Sequence, residues 1–145
     1  MSVLFVLSLL NANAADVHVG SGQTHATVAA AVSAANANDT IIIHEGTYTE
    51  GGPITVNKTL TIENNDSLTS LDGFSSLSEL ESDLDVIQNP ILEEVDGMSA
   101  LQYIGGDVLF EDNYELCYSA VSALLNDVEI EGQITLRDLR SAGCY

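Results

Sequence analysis

A repeat of 24 residues runs through the second half of this 145-residue chain and restricts the folds open to it. The segment 65–74 returns as 89–98, with Asp72-Gly73 matched by Asp96-Gly97. One such repeat cannot bury an apolar face alone, whereas stacked repeats share a continuous core. The repeat therefore predicts coils that stack along one axis. Two residue types mark it most clearly: the asparagines Asn65, Asn89 and Asn113 and the leucines Leu68, Leu92 and Leu116.

Short runs of aliphatic and β-branched residues recur about once per repeat and predict the strands. In each run the first and third side chains are expected to point inward and the middle one outward. The three repeat asparagines are expected at turns, hydrogen-bonded to the backbone, so we predict a structural role for them. The predicted fold class is mainly β, a short parallel β-solenoid of coils of about 24 residues. The runs are 17–19, 41–43, 60–62, 84–86, 108–110 and 134–136.

Helical patterns lie near both ends of the predicted solenoid. Residues 26–37 carry one apolar stripe and predict a short N-terminal capping helix, with Thr24 or Thr27 as its N-cap. Residues 119–126 carry a second stripe and predict a helical cap at the C-terminal end.

The first residues of the chain predict export. Residues 3–10 are apolar, and the Ala-Asn-Ala run at 12–14 places small residues where a signal peptidase reads them, so residues 1–14 are interpreted as a signal peptide. A buried strand or a membrane anchor is the alternative, although an anchor needs about 20 apolar residues. Export makes the product secreted or displayed at the cell surface. It also favours a disulfide between the only two cysteines, Cys117 and Cys144, over two free buried thiols.

The charge balance excludes two classes of partner. Acidic side chains outnumber basic ones by 22 to 3, and the net charge is −19. Nucleic acids and anionic membranes bind clustered Lys and Arg, so neither is an expected partner, and no membrane insertion is expected after signal cleavage. The excess acid is interpreted as a solvated surface. Adaptation to high salt or weak calcium binding by grouped carboxylates is the alternative, and no other cofactor is expected.

Two stretches resemble known families. Residues 15–63, with Asn-Asp-Thr-Ile at 38–41 and Gly-Thr-Tyr at 46–48, resemble the opening coils of pectate-lyase-like right-handed β-helices. Residues 64–144, with the repeat that begins Asn-Asp-Ser-Leu, resemble the receptor L domain, a leucine-rich solenoid.

These resemblances imply a domain organisation. They imply β-helix-like coils at 15–63 and L-domain-like coils with a disulfide-closed cap at 64–145. The strand spacing continues across the junction and favours one continuous solenoid over two hinged domains. L domains generally present the sheet face to ligands, so the resemblance also implies that this face binds a partner.

Catalysis has little support in the sequence, and no catalytic residue is predicted. The lyase resemblance implies a calcium site and an Arg or Lys base on a central sheet, but the middle of the chain has no basic residue except Lys58. Asp83, Asp85 and Asp107 are the candidate carboxylates for a polysaccharide hydrolase or lyase, because paired carboxylates perform acid–base chemistry. The repeat of Asp83 as Asp107 is more typical of a turn-forming residue.

The three histidines, His18, His25 and His44, predict no metal site. His18 and His44 could come close enough to share a metal ion. No Cys or clear carboxylate set completes the coordination, so surface histidines are the favoured interpretation.

The outer sheet face carries the predicted binding site. Ile87 and Leu109 are apolar residues on adjacent coils of a face that otherwise carries charge, including Asp85 and Glu111. Exposed apolar neighbours rimmed by acids can mark a partner site. The alternative is ordinary surface, or a bulge that turns Ile87 inward.

The functional hypothesis is a secreted, non-catalytic binding or adhesion module. Its sheet face would recognise a protein or a surface glycan. A polysaccharide-active enzyme of the β-helix type and a structural part of a cell-surface assembly are the other hypotheses.

Overall fold

A computed structural model describes residues 14–36, 38–44 and 51–144. The predicted signal peptide lies outside these residues except for Ala14, and the Gly-Thr-Tyr motif at 46–48 lies outside them entirely. The described part is mainly β, with parallel sheets, two α-helices and two single-turn 3-10 helices. None of its helices is long and apolar enough to cross a membrane.

The strands are short, and each of the six predicted runs lies in one of them. The helices are α1 Val28–Ala34 and α2 Tyr118–Asn126, and the 3-10 turns are η1 Asp72–Phe74 and η2 Asp96–Met98. The strands are β1 Asp16–Val19, β2 Thr40–Ile43, β3 Ile54–Val56, β4 Thr59–Glu63, β5 Leu77–Leu80, β6 Leu84–Ile87, β7 Tyr103–Ile104, β8 Val108–Glu111, β9 Asn113–Cys117, β10 Glu129–Ile130, β11 Ile134–Leu136 and β12 Leu139–Arg140.

The strands form three parallel sheets. The six predicted runs make one six-stranded sheet in the order β1-β2-β4-β6-β8-β11. A four-stranded sheet has the order β10-β7-β5-β3, and β12 pairs with β9. From β4 to β8 the chain alternates between the six-stranded and four-stranded sheets, so each of these strands pairs with the strand one repeat away. The second and third sheets were not anticipated from the sequence.

The repeat fixes the strand register. Val17 pairs with Ile41, and Leu84 pairs with Val108, each 24 positions later. The β4–β6 pairing crosses residue 64 without a register shift, with Leu60 opposite Leu84. It therefore joins the two stretches that the sequence resemblances separate.

The core consists of inward-facing side chains stacked in rows across the six-stranded sheet. Leu60, Leu84 and Phe110 are fully buried, as the alternation of the predicted runs requires. The exceptions lie on the two edge strands: Val17 and Leu136 are only partly buried, and Ile134, in register with Val108, is 49% exposed. β11 is the last strand of the sheet, so no further strand among the described residues covers it.

Both predicted helices are present. In α1 the Thr27 side chain accepts a hydrogen bond from the Ala30 N–H at 3.2 Å, which confirms Thr27 as the N-cap. α2 packs beside η2, in the position that the 3-10 turns hold in the preceding repeats. Three strands, β10 to β12, follow α2, so this helix is not the last element of the stack.

The predicted disulfide between Cys117 and Cys144 is confirmed. Its two Cα atoms are 5.8 Å apart. Cys117 ends β9 and is the residue before α2, while Cys144 follows β12. The bridge therefore ties the last strands of the chain to the start of α2.

Candidate functional site

Four predicted site residues lie side by side on the outer face of the six-stranded sheet. β6 pairs with β8 so that Asp85 is opposite Leu109 and Ile87 is opposite Glu111, with no register shift. All four side chains are partly exposed, and the residues between them are buried. Ile87 therefore faces outward. We call these four residues the outer-face block; its apolar pair lies on one diagonal and its acidic pair on the other.

Beside the block, the outer face of the sheet is exposed to solvent on the β11 side and buried on the β4 side. Thr61 is in register with Asp85, and Ile42 is in register with Thr61, but their exposed fractions are only 7% and 8%. Thr61 lies between Ile42 and Asp85 in the sheet. On the other side Thr135 is opposite Leu109 and is exposed. The accessible part of the face therefore extends over β6, β8 and β11.

Within the block, the surroundings of Asp85 disfavour the charged form of its carboxyl group. Burial raises the pKa of its carboxyl above the ordinary value, and the charges of Asp83, Asp107 and Glu63 raise it further. A carboxyl with a raised pKa is a common feature of functional sites, although structural clusters of acids produce the same effect.

The other two candidate carboxylates are used in backbone hydrogen bonds. Oδ1 of Asp83 accepts from the Asp107 N–H at 2.9 Å, and Oδ1 of Asp107 accepts from the Gln133 N–H at 2.8 Å. Each carboxylate therefore connects its own turn to the corresponding turn of the next repeat. This geometry explains why the residue recurs with the period of the repeat.

Glu111 forms an ion pair at the edge of the block. Nη2 of Arg137 donates to Oε2 of Glu111 at 2.7 Å. The Arg137 side chain is 56% exposed, so this pair contributes only about 0.2–1 kcal/mol to stability. Its main effect is to hold the Glu111 carboxylate beside β11.

Asn65, Asn89 and Asn113 form a buried ladder. Nδ2 of Asn89 donates to Oδ1 of Asn113 at 3.2 Å, and Nδ2 of Asn65 donates to Oδ1 of Asn89 at 3.1 Å. Each amide also donates to the backbone oxygen of an earlier strand, as Asn89 does to Ile62 at 2.9 Å. These bonds satisfy polar groups that the turns would otherwise bury unpaired.

A second periodic feature precedes each rung of this ladder. Asn64, Gln88, Asp112 and Asp138 all have a positive φ, between 53° and 57°. This left-handed conformation turns the chain sharply after β4, β6, β8 and β11. Asn and Asp tolerate this conformation best. The Asn or Asp at three of these four positions therefore indicated a turn, and the sequence analysis did not use that indication.

The N-terminal edge of the sheet is fixed by a buried carboxylate. Oδ2 of Asp39 accepts from the Asn36 N–H at 2.7 Å, and Oδ1 accepts from the Ala15 N–H at 2.9 Å. These two bonds, the Asn36 bond first, lower the pKa of the Asp39 carboxyl below its ordinary value. Asp39 thereby connects the start of β1 to the turn after α1.

His18 and His44 meet on the outer face at this edge. Nδ1 of His18 is 2.9 Å from Nε2 of His44, and the ring centroids are 5.1 Å apart. Among the described residues no group of three or more His, Cys, Asp or Glu side chains is arranged to hold a metal ion.

Two grooves lie away from the outer-face block, and a third, of about 270 Å³, lies at the turns that follow the block and is lined by Gln88 and Asp112 among others. One of about 550 Å³ runs beside the disulfide and is lined by Glu93, Glu115 and Arg140 among others. Another of about 420 Å³ is lined by Asp39, Lys58 and Glu81 among others. The candidate site is the partly exposed sheet face itself. Comparison of the chain with family models, with curated proteins and with solved structures gives no match.

Proposed function

We propose that this chain is a short parallel β-solenoid that acts as a secreted or cell-surface binding module without catalytic activity. Its ligand, a protein or a surface glycan, binds the outer face of the six-stranded sheet. The observation that carries the proposal is the outer-face block, in which Ile87 and Leu109 are partly exposed beside two carboxylates. Exposed apolar residues rimmed by polar ones are typical of interaction sites.

The pairing pattern supports the solenoid part of the proposal. Strands of all three sheets pair in parallel with a strand one repeat later, as Glu79 does with Tyr103 and Asn113 with Leu139. The asparagine ladder also joins one repeat to the next. The same arrangement supports one continuous unit with β-helix-like coils at 15–63 and L-domain-like coils at 64–145, as the two resemblances imply.

The chemistry of the acids supports a binding role over catalysis. Asp83 and Asp107 each hold a backbone N–H of the next repeat through Oδ1, which gives both carboxylates a structural role in the turns. Of the three candidate carboxylates this leaves Asp85, and hydrolysis of a glycoside ordinarily needs two carboxyl groups.

Binding to a panel of immobilised polysaccharides, with calcium and with a chelator, tests the proposal. We expect selective retention of the purified chain on one class of glycan. Loss of retention with chelator would assign the carboxylates a calcium-dependent role. No retention on any glycan would leave a protein partner as the ligand and direct the search to cell-surface proteins.

A paired substitution tests the site itself. Ile87→Ser with Leu109→Ser removes the apolar diagonal, and we expect binding to be lost while the circular dichroism spectrum is unchanged. Ile91→Ser is the matched control, because Ile91 is 40% exposed but lies outside the sheet face. Retained binding by the double variant would reject the outer-face block as the site.

An enzyme that cleaves polysaccharide is the second candidate function, favoured by the raised pKa of Asp85. It predicts release of reducing ends or of unsaturated products from an acidic or neutral polysaccharide. Such activity, if abolished by Asp85→Asn, would replace the binding proposal.

A further inference from the structure

The two histidines on the outer face form a pair that the binding proposal does not use. His18 lies on β1, opposite Ile42, and His44 directly follows β2. Both side chains are partly buried, and a ring nitrogen of each faces the other at 2.9 Å. The two rings are tilted by 39°, so they do not stack face to face.

Backbone hydrogen bonds hold the described strands that carry the pair. β1 and β2 pair through four residues without a register shift. The His44 N–H donates to the Val19 oxygen at 2.9 Å, and the Gly20 N–H donates to the His25 oxygen at 2.9 Å. With the Asp39–Ala15 bond at the start of β1, both strands are fixed at each end. Ligands on rigid strands lose little freedom when they bind a metal ion.

The separation of the nitrogens matches two neighbouring positions in a metal's coordination shell. Nitrogens bound at about 2.1 Å lie about 3.0 Å apart when they subtend a right angle and about 3.4 Å apart at the tetrahedral angle. The observed 2.9 Å fits the right-angled arrangement in distance, and each ring must turn by roughly 45° so that both lone pairs point at the metal ion instead of along the hydrogen bond. Square-planar, tetragonal and octahedral ions use that arrangement, and among them Cu²⁺ and Ni²⁺ prefer imidazole.

We infer that His18 and His44 bind one divalent transition-metal ion of the Cu²⁺ and Ni²⁺ class through Nδ1 and Nε2. Among the described residues no third side-chain ligand is arranged beside them. The site is distinct from the outer-face block and does not depend on the proposed function.

Metal binding requires a lone pair on both facing nitrogens. In the metal-free pair one facing nitrogen donates its proton to the other. On binding, that ring changes tautomer: the facing nitrogen loses its proton and the other nitrogen of the same ring gains one from solvent. The net number of protons is unchanged.

Calorimetric titration of the purified, untagged chain with Cu²⁺ in excess Mg²⁺ tests the inference. Mg²⁺ occupies carboxylate sites, which the charge of −19 makes abundant, so the remaining heat reports imidazole ligation. We expect one site, with Cu²⁺ bound more tightly than Zn²⁺. His18→Gln and His44→Gln should each weaken binding by about tenfold or more, because one of two protein ligands is lost. His25→Gln is the matched control and should bind as the unmodified chain does.

Two results would overturn the inference: absence of Cu²⁺ binding, or binding that neither His18→Gln nor His44→Gln weakens. A second measurement needs no variant, so it is independent of any effect on folding. Electron paramagnetic resonance of the Cu²⁺-loaded chain should show couplings to the nitrogens of two imidazoles. Oxygen ligation alone, or a single imidazole, would count against a shared site.

Discussion

Asn89 is the central rung of the asparagine ladder and is fully buried. Its side chain donates to the oxygens of Ile62 and Ile87 and to Oδ1 of Asn113, and it accepts from the backbone N–H of Asn65. Asn89→Ala should therefore lower the free energy of unfolding by about 3 kcal/mol, because several buried groups lose their partner together. Denaturant titration measures the change.

Asn126→Ala is the control for this prediction. Asn126 is exposed, and its amide bonds only to the neighbouring Asp127 at 3.3 Å. Its substitution should change the free energy of unfolding by no more than about 0.5 kcal/mol. Equal losses from the two substitutions would show that the ladder does not stabilise the fold.

The raised pKa of Asp85 predicts that the folded state loses stability as the pH rises. Its pKa in the folded chain lies above the ordinary value of 3.8, so the folded state binds the proton more tightly than the unfolded state. Stability therefore falls as pH rises from 3.8 through the folded pKa, and the loss persists at neutral pH. Asp85→Asn should melt at a higher temperature than the unmodified chain at neutral pH, and the difference should close below pH 3.8.

Asp66→Asn controls for the change in net charge, because Asp66 is an exposed acid outside the sheets. It should raise the melting temperature less than Asp85→Asn does at neutral pH. If Asp85→Asn melted at a lower temperature, the Asp85 carboxylate would be making a stabilising contact instead.

At the level of elements, the sequence predicted the strands of one sheet and both helices. The runs at 84–86 and 108–110 were readable because their inward residues alternate with outward ones. β5 and β7 were not predicted, since Ser78, Glu79 and Tyr103 give them no such pattern. Their register depends on strands 24 positions away, which local propensity does not contain.

The outer-face block, too, could be predicted from the sequence only in part. Alternation predicted that Asp85 and Leu109 face outward, and the repeat placed them on adjacent strands. Their surroundings depend on the three-dimensional packing, in which Thr61 is only 7% exposed and Asp83 and Asp107 are held in turns. The same limit applies to His18 and His44, whose 2.9 Å separation no spacing in the sequence reveals.

The disulfide stabilises the last elements of the chain. It closes a loop of 27 positions, which a chain-entropy estimate values at roughly 3–4 kcal/mol. Replacing both Cys117 and Cys144 by Ser should lower the free energy of unfolding by that amount. Hydrogen exchange should show the earliest loss of protection in β11 and β12, because these strands lie at sheet edges. An unchanged melting temperature would contradict a stabilising role.

For the whole molecule the net charge of −19 opposes folding, because compaction brings like charges together. The described ion pairs offset little of this repulsion. Arg137–Glu111 and Arg140–Glu115 are both at the surface, at 2.7 and 3.2 Å. Stability must therefore come from the stacked apolar rows, the buried hydrogen bonds between repeats and the disulfide.

Salt should consequently stabilise the chain. The screening length falls from about 30 Å at 0.01 M to about 3 Å at 1 M, so repulsion weakens far more than the two surface pairs do. We expect the melting temperature at neutral pH to rise steadily with NaCl. CaCl₂ at equal ionic strength separates two mechanisms: an equal rise indicates screening, and a larger one indicates calcium bound by carboxylates. A melting temperature that falls with NaCl would mean that the Arg137 and Arg140 pairs outweigh the repulsion.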